Sequence, residues 1–397
     1  MQKEMKIEKA TLKKALEKIG FFVGKMQIDA NVSCVHFKNK DKKAVLFAHD
    51  HHKAGRLFID TNEEGEFEFV LDYSRFTKPL CMRGKEITIK LVENYVNDEG
   101  MFINGIEFTD GRTHECFGLN DSNAFAAPEM TSVVPEGKSG LVMEAKQIKE
   151  GFKSGGCARN EKEKQKIEFT GIKAMYDSDD MFVFSTNQKR IACWQSSDGF
   201  FDKAMQGFDN GDESITNSML SPEAIRAIEL FDDSETISLY DDGKKSIFVS
   251  ETMQMFIEKI SGSLDSRSQI LKDRILASPT IASYEATRSE FLESLKIVKN
   301  DSDMITVKFH DGFATFEGSD RKFSEKVNDD GFEVHCLDGK DITISISPSM
   351  FIDTFENIVD EKIQFDMKKV DDTLTAICYS TEHGSFGSFA PRISGNR

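Results

Sequence analysis

Hydrophobic positions in this chain follow two periods that take turns along its length. Apolar residues three and four apart in ATLKKALEKIG from Ala10, EAKQIKEGFKSGG from Glu144 and EATRSEFLESLKIVKN from Glu285 predict amphipathic helices, the A helices. Between them lie DYSRFTKPLCMRGKEITIKLV from Asp72, LSPEAIRAIELFDDSETISLYDDG from Leu220 and ISPSMFIDTFENIVDEKIQFDM from Ile346. Each predicts a B helix of about three turns, a polar turn, and a strand with alternating apolar residues. The alternation runs through Ile87, Ile89 and Leu91, through Ile237 and Leu239, and through Ile363, Phe365 and Met367. Two B helices open on Ser221-Pro222 and Ser347-Pro348, where serine can cap and proline fits the first turn. B-helix starts at Ser74, Pro222 and Pro348 are 148 and then 126 residues apart. The order helix A, strands, helix B, strands therefore recurs, and an internal threefold repeat is the expectation.

A chain of 397 residues accommodates three domains that each bury a core. Apolar residues make up 39% and charged residues 30%, and no apolar run approaches the ~20 residues of a membrane span. The opening MQKEMKIEKATLKKALEKIG spreads its charges and has no apolar signal-peptide core. Seven scattered cysteines form no CxxC pair, which fits reduced thiols in a cytoplasmic compartment; Cys34, Cys193 and Cys378 read as small core residues. A net charge of −17 excludes a protein coated by nucleic acid over its whole surface. Basic residues nevertheless gather on the A helices, and Lys146, Lys149 and Lys153 share one helix face.

No catalytic pattern emerges. His49, Asp50, His51 and His52 have metal-ligand side chains, but adjacent strand residues point to opposite faces and no partner cluster lies at suitable spacing. A polar loop between the strands AVLFA and RLFID is the expectation there. There is no P-loop, nucleophile elbow or dinucleotide fingerprint, and Asp177, Asp179, Asp180, Asp232 and Asp233 fit turn chemistry. The sequence points to a binding protein, with no enzyme activity, metal or cofactor expected.

The stretch KIEFTGIKAMYDSDDMFVFSTNQKRIACWQSS, from Lys166 to Ser197, resembles the second domain of the bacterial sliding clamps, the DNA polymerase III beta subunits. Phe169 precedes Gly171, and Ser185 to Ala192 stands where that family has a motif of the form Ala-Thr-Asp-Gly-His-Arg-Leu-Ala. Thr186, Arg190 and Ala192 are retained and Ile191 is conservative, whereas Asn187, Gln188 and Lys189 depart. FIEKISGSLDSRSQIL, from Phe256 to Leu271, is similar to the link between the second and third domains, and SFAPRI to the family's tail. Asp265 stands for the linker proline, Ala390 and Arg392 for the tail methionines, and Ser394 to Arg397 extend past the tail.

The resemblance, a divergent one of the kind a phage or mobile-element replisome would carry, implies an α+β fold of three clamp domains. The boundaries would be 1–130, 131–262 and 263–397, each domain having two helices lining a hole and outer antiparallel sheets. Two chains would close head to tail into a homodimeric ring around duplex DNA. The lining side chains would be Lys14, Lys18, Arg75, Lys78, Arg83, Lys146, Lys149, Lys153, Arg226, Arg288 and Lys296, giving a diffuse, sequence-independent field. Asp353, Glu356 and Asp360 make the third B helix acidic, so the repeats would hold DNA unequally. Replicative polymerase and clamp loader would dock a short linear motif in a pocket of Phe169, Thr186, Arg190, Ile191, Ile270, Phe389, Pro391 and Ile393. Ring closure would pair GRTHECFGL, from Gly111, with SDRKFSEKV, from Ser319. The alternative reading is a clamp-fold interaction platform or inhibitor that no longer encircles DNA.

Overall fold

The computed structural model describes residues 4–25, 30–61, 65–96, 100, 102–120, 140–159, 167–187, 189–261, 264–299, 304–310, 313–318, 325–326, 334–339, 342–371 and 375–389. One unit of chain order, a strand, a helix and three strands, occurs six times. The first repeat holds β1 (Glu4–Glu8), α1 (Lys9–Ile19), β2 (Cys34–Lys40), β3 (Lys43–His49) and β4 (Lys53–Asp60), then β5 (Phe67–Asp72), α2 (Tyr73–Phe76), β6 (Glu86–Val96), β7 (Phe102–Thr109) and β8 (His114–Gly118). The second holds β9 (Leu141–Glu144), α3 (Ala145–Gly155), a short α4 (Ile167–Thr170), β10 (Ile172–Tyr176), β11 (Met181–Thr186) and β12 (Arg190–Gln195). An added α5 (Phe200–Asp209) precedes β13 (Thr216–Leu220), α6 (Glu223–Ile228), β14 (Thr236–Asp241), β15 (Lys245–Val249) and β16 (Met253–Glu258). The third opens with α7 (Asp265–Ile270), continued by a π-helical turn over Leu271–Leu276. It goes on through β17 (Thr280–Thr287), α8 (Arg288–Val298), β18 (Ile305–His310), β19 (Phe313–Gly318), β20 (Glu325–Lys326), β21 (Val334–Gly339), β22 (Ile342–Ile346), α9 (Pro348–Phe355), β23 (Lys362–Lys369), β24 (Thr375–Ser380) and β25 (Ser385–Phe389).

Pairing follows one rule: the strand ahead of each helix joins the three strands that follow the other helix of its repeat. The resulting orders are β1-β6-β7-β8 and β5-β2-β3-β4, β9-β14-β15-β16 and β13-β10-β11-β12, β17-β23-β24-β25 and β22-β18-β19-β20. Antiparallel pairing of β4 with β16 makes a continuous eight-stranded sheet, and pairing of β12 with β25 makes a nine-stranded one in which β21 extends past β17. The sheets ending in β8 and β20 stay four-stranded. The chain forms two compact units, Met1–Val142 with Leu230–Glu258, and Met143–Glu229 with Lys259–Arg397.

In the first unit, Leu12, Ala15, Leu16 and Ile19 put one face of α1 into the core, the three-and-four spacing read from the sequence. Phe37 stacks on Phe69 at 5.1 Å between ring centroids, and Phe76 meets both edge-on. In the second unit, Phe291 of α8, Phe351 and Phe355 of α9, Phe365 of β23 and Phe389 of β25 form an aromatic core. A separate cluster packs Phe200, Phe201, Ala204 and Met205 of α5, with Leu264 and Leu271, against Phe182, Phe184 and Ile191 of the sheet. Cys34, Cys193 and Cys378 are buried, as their apolar surroundings in the sequence implied.

Several local expectations change. The B helices are shorter than three turns: α2 has 4 residues, α6 has 6 and α9 has 8. After α2 the chain tightens into a 3₁₀ turn over Lys78–Cys81, because Pro79 has no N–H to continue the α ladder. α8 begins at Arg288, not Glu285, since β17 runs on to pair Thr287 with Lys362. Ser221 and Ser347 make no side-chain cap; their carbonyls accept from Ala224 (3.0 Å) and Met350 (3.1 Å), although Pro348 does occupy the first turn. Asp72 is the side-chain cap, its Oδ1 accepting from the Ser74 N–H at 2.9 Å. Asp177 behaves as its turn chemistry predicts, its Oδ1 accepting from the N–H groups of Asp179 (2.9 Å) and Asp180 (2.8 Å).

The β24–β25 turn is fastened to the chain just after α9. Asp360 is buried and accepts from the His383 N–H at 3.2 Å and, through its other oxygen, bonds the His383 ring Nδ1. Burial pushes the Asp360 carboxyl up, but hydrogen bonds from Thr381 and His383 outweigh it and the pKa lies below the usual value. The hydrogen bond to Asp360 raises the His383 pKa. The carboxylate's contribution to stability is present above its unfolded pKa and lost as pH falls through the lowered folded value. The imidazolium's is present below its unfolded pKa and lost as pH rises through the raised folded value. Stability from the pair is therefore greatest between about pH 4 and 6.5. In thermal melts, His383→Ala lowers Tm more at pH 5.5 than at pH 8.5, and an equal loss at both would refute the pairing.

Candidate nucleic-acid interface and peptide pocket

Each repeat packs its two helices together. Tyr73 of α2 donates its hydroxyl hydrogen to the Leu16 carbonyl at 3.1 Å, and a Cβ at Gly20 would lie 2.2 Å from the Tyr73 oxygen, so glycine is what lets the two helices approach. α3 packs against α6, and α8 against α9. The expected basic side chains sit on these helices, except Lys78 in the 3₁₀ turn after α2 and Arg83 beyond that turn, and they are in two electrostatic states. Arg75, Arg83, Lys146, Lys153 and Arg226 are exposed and have no ion-pair partner among the described residues. Lys78 is exposed too, its ammonium 5.5 Å from the Phe117 ring centroid, and Lys149 is half-buried. The others face acids of their own unit. Lys14 and Lys18 lie 3.1 and 3.5 Å from Asp232, holding that carboxyl below its usual pKa, Lys296 is 2.7 Å from Glu356, and Arg288 is 3.3 Å from Glu361.

Of the three acids expected on the third B helix only Asp353 lies on α9; Glu356 is its C-cap and Asp360 lies beyond it. Asp353 bonds the Arg190 guanidinium, Glu356 meets Lys296, and Asp360 holds His383. Their charge is thus compensated locally.

The predicted pocket residues divide between the two faces of the nine-stranded sheet. Arg190 lies opposite Phe389 and Ile191 opposite Ser388 across the β12–β25 seam, so Arg190 and Phe389 share one face and Ile191 takes the other. On the first face Phe389 stacks on Phe351 with centroids 3.8 Å apart. Arg190 is buried and donates to the Met350 carbonyl (2.8 Å), the Thr354 hydroxyl (2.9 Å), the Cys157 carbonyl (2.8 Å) and Asp353, tying β12 to α9 and to the end of α3. On the second face Ile191 joins the α5 cluster. Phe169 is fully buried on α4 with the Arg267 guanidinium 5.8 Å from its centroid, and Ile270, on α7, is 39% exposed. Thr186 is buried and donates to the Arg190 carbonyl at 2.9 Å. Pro391 and Ile393 lie outside the described residues.

The β11–β12 turn has an internal copy that the sequence reading did not find. Asn187 Oδ1 accepts from the N–H groups of Lys189 and Arg190, each at 3.2 Å. Between β3 and β4, Asp50 Oδ1 accepts from those of His52 (3.1 Å) and Lys53 (2.9 Å). Lys53 is buried like Arg190 and opens the first seam opposite Ile257, as Arg190 opens the second opposite Phe389. Its ammonium turns back to Asp50 at 2.7 Å and lies 4.8 Å from the Phe21 centroid. The detectable signal is an Asp or Asn with a cation three residues later at a strand start. The histidines around it masked that signal, and His49 is in fact the buried last residue of β3. Among the described residues no three His, Cys, Asp or Glu side chains are grouped to hold a metal ion, and no helix is long and apolar enough to cross a membrane.

No family model and no curated protein matches the sequence. Solved structures do match over its length. The beta subunit of Streptococcus pyogenes DNA polymerase aligns with a TM-score of 0.76 at 14% identity, covering 98% of this chain and 99% of its own. A putative DNA polymerase III beta subunit from Eubacterium rectale gives 0.76 at 15% identity, with 100% of both chains covered. The Helicobacter pylori beta clamp bound to a DNA ligase peptide gives 0.75 at 16% identity, covering 98% and 99%. Agreement over both chains' lengths, at identities this low, establishes that this chain has the fold of the bacterial DNA polymerase III beta subunits.

Proposed function

We propose that the protein is a divergent member of the sliding-clamp family: a cytoplasmic, non-enzymatic processivity factor of three domains, with boundaries near residues 130 and 262. As a homodimer it encircles duplex DNA and tethers a replicative polymerase and other replication proteins. The observation that carries the reading is the pairing rule. Two of its three kinds of seam, β4 with β16 and β12 with β25, lie inside the chain, and β8 and β20 are the two corresponding strands left at sheet edges. A second copy, arranged head to tail, supplies each with the other, and this removes the exposed edges.

DNA is held by a diffuse field. Arg75, Lys78, Arg83, Lys146, Lys153 and Arg226 carry most of it, with the half-buried Lys149 beside them, while Lys14, Lys18, Arg288 and Lys296 contribute less because acids already face them. That Lys14, Lys18, Arg288 and Lys296 are so engaged favours the second reading, a clamp-fold platform that does not encircle DNA. The peptide motif of a polymerase, loader or other partner docks beside Ile270, with Ile191, Phe169 and Thr186 behind it and Arg190 and Phe389 fixing the seam beneath. The resemblance adds Pro391 and Ile393 of the tail to this set.

Three outcomes follow. In solution the mass is twice 44.8 kDa, and protein loaded on closed circular DNA is retained there but lost once the circle is cut. A strict monomer refutes the ring, and equal loss from circle and linear DNA favours the platform. Replacing Lys146, Lys153 and Arg226 with glutamate shortens residence on DNA and flattens its salt dependence by about 0.9 in log–log slope per lost phosphate contact; an unchanged slope removes these side chains from the interface. Ile270→Asp weakens binding of the cognate polymerase by roughly tenfold without changing the mass, the cost of losing one apolar anchor; unaltered affinity would place the motif elsewhere.

A further inference from the structure

A groove between α1 and β4 in the first unit takes two of the cations described above, Lys14 and Lys18, but sets them beside apolar surface that the DNA reading does not use. It encloses about 330 Å³, near the lower end of the ~300–1,000 Å³ of small-ligand sites. Ala10 and Ala15 on α1 and Leu57, Phe58 and Ile59 on β4 form an apolar floor, with Phe58 and Ile59 only half-buried. Lys14, Lys18 and Asp232 line the same groove. The Lys14 and Asp232 side chains are 65% and 52% exposed, and that of Lys18 is 14% exposed. Two ammonium groups thus converge on one carboxylate, at 3.1 and 3.5 Å, beside apolar surface, while the nearby Glu235 carboxylate is turned to the Asp232 N–H and the Thr252 hydroxyl.

A DNA phosphate would use the lysines but gain nothing from the floor, whereas an amphipathic anion uses both. We infer that this groove binds an acidic peptide segment of a protein partner, in which an aliphatic or aromatic side chain next to an Asp or Glu packs on Leu57, Phe58 and Ile59. The ligand carboxylate takes the place of Asp232 between Lys14 and Lys18. Asp232 is therefore a tethered competitor, which the partner must displace. This site shares no residue with the Ile270 pocket and does not require the protein to encircle DNA, so the two readings stand or fall separately.

The test uses the full-length protein carrying labelled isoleucine δ1 methyl groups, with the Ile59 resonance assigned by Ile59→Val. Hydrocinnamate, an aromatic ring on a short carboxylate chain, is the probe, and its neutral amide is the control. The Ile59 methyl shifts saturably with the acid and not with the amide. Asp232→Asn tightens that titration by about fivefold, the value of one exposed ion pair, and Lys14→Ala with Lys18→Ala abolishes saturation. An unmoved Ile59 methyl, an equal response to the amide, or an Asp232→Asn protein that titrates like the parent overturns the inference. So does a short DNA duplex that perturbs Ile59 where hydrocinnamate does not, which would make the groove a phosphate contact.

Discussion

A four-stranded sheet cannot satisfy the backbone of its own last strand, and in this protein that constraint organises everything larger than a half-repeat. β4 and β16 complete each other's ladders, as do β12 and β25. Each seam converts two edges that would invite aggregation into the interior of a longer sheet. The helices depend on the seams in turn. Arg190 stands at the first paired position of β12, and from there its guanidinium reaches α9 and the last turns around α3. A buried cation with several acceptors is costly to assemble and more costly to break, so removing any of its partners would leave a charge uncompensated at the seam.

Lys53 and Arg190 occupy equivalent places and solve the same problem differently. Both follow an Asx-type turn and both are buried at the opening of a seam. Arginine's planar fork spans acceptors on α9 and at the end of α3, whereas lysine's single ammonium meets Asp50 and an aromatic face. The second seam is consequently cross-braced to a helix. Local charge matching follows the same logic on and just after α9, where Arg190, Lys296 and His383 come from elsewhere in the fold to meet Asp353, Glu356 and Asp360.

The A helices were legible because their apolar spacing is local and strong, and the alternation at Ile363, Phe365 and Met367 was legible for the same reason. The pairing of β1 with β6, more than seventy-five residues away, is not a local property, and neither is the ion pair between Lys14 and Asp232. Stripes of lysine could be read as a face but not as charges already engaged. Of the pocket set, Thr186 and Arg190 stood out through the motif they share with the clamp family, whereas the face on which each residue falls depends on register across a seam between distant strands. α5 escaped notice although Phe200, Phe201, Ala204 and Met205 carry helical spacing. It interrupts the repeat, so repeat-based reading passed over it.

The difference between β4·β16 or β12·β25 and any pairing that β8 and β20 make with another chain is one of molecularity. The internal seams are held at an effective concentration set by the tether, and dilution does not weaken them. A pairing made by β8 or β20 obeys mass action. As the protein becomes scarce in solution, its contacts should therefore fail in a fixed order, outer edges first, with the two fused sheets surviving intact in the separated chains.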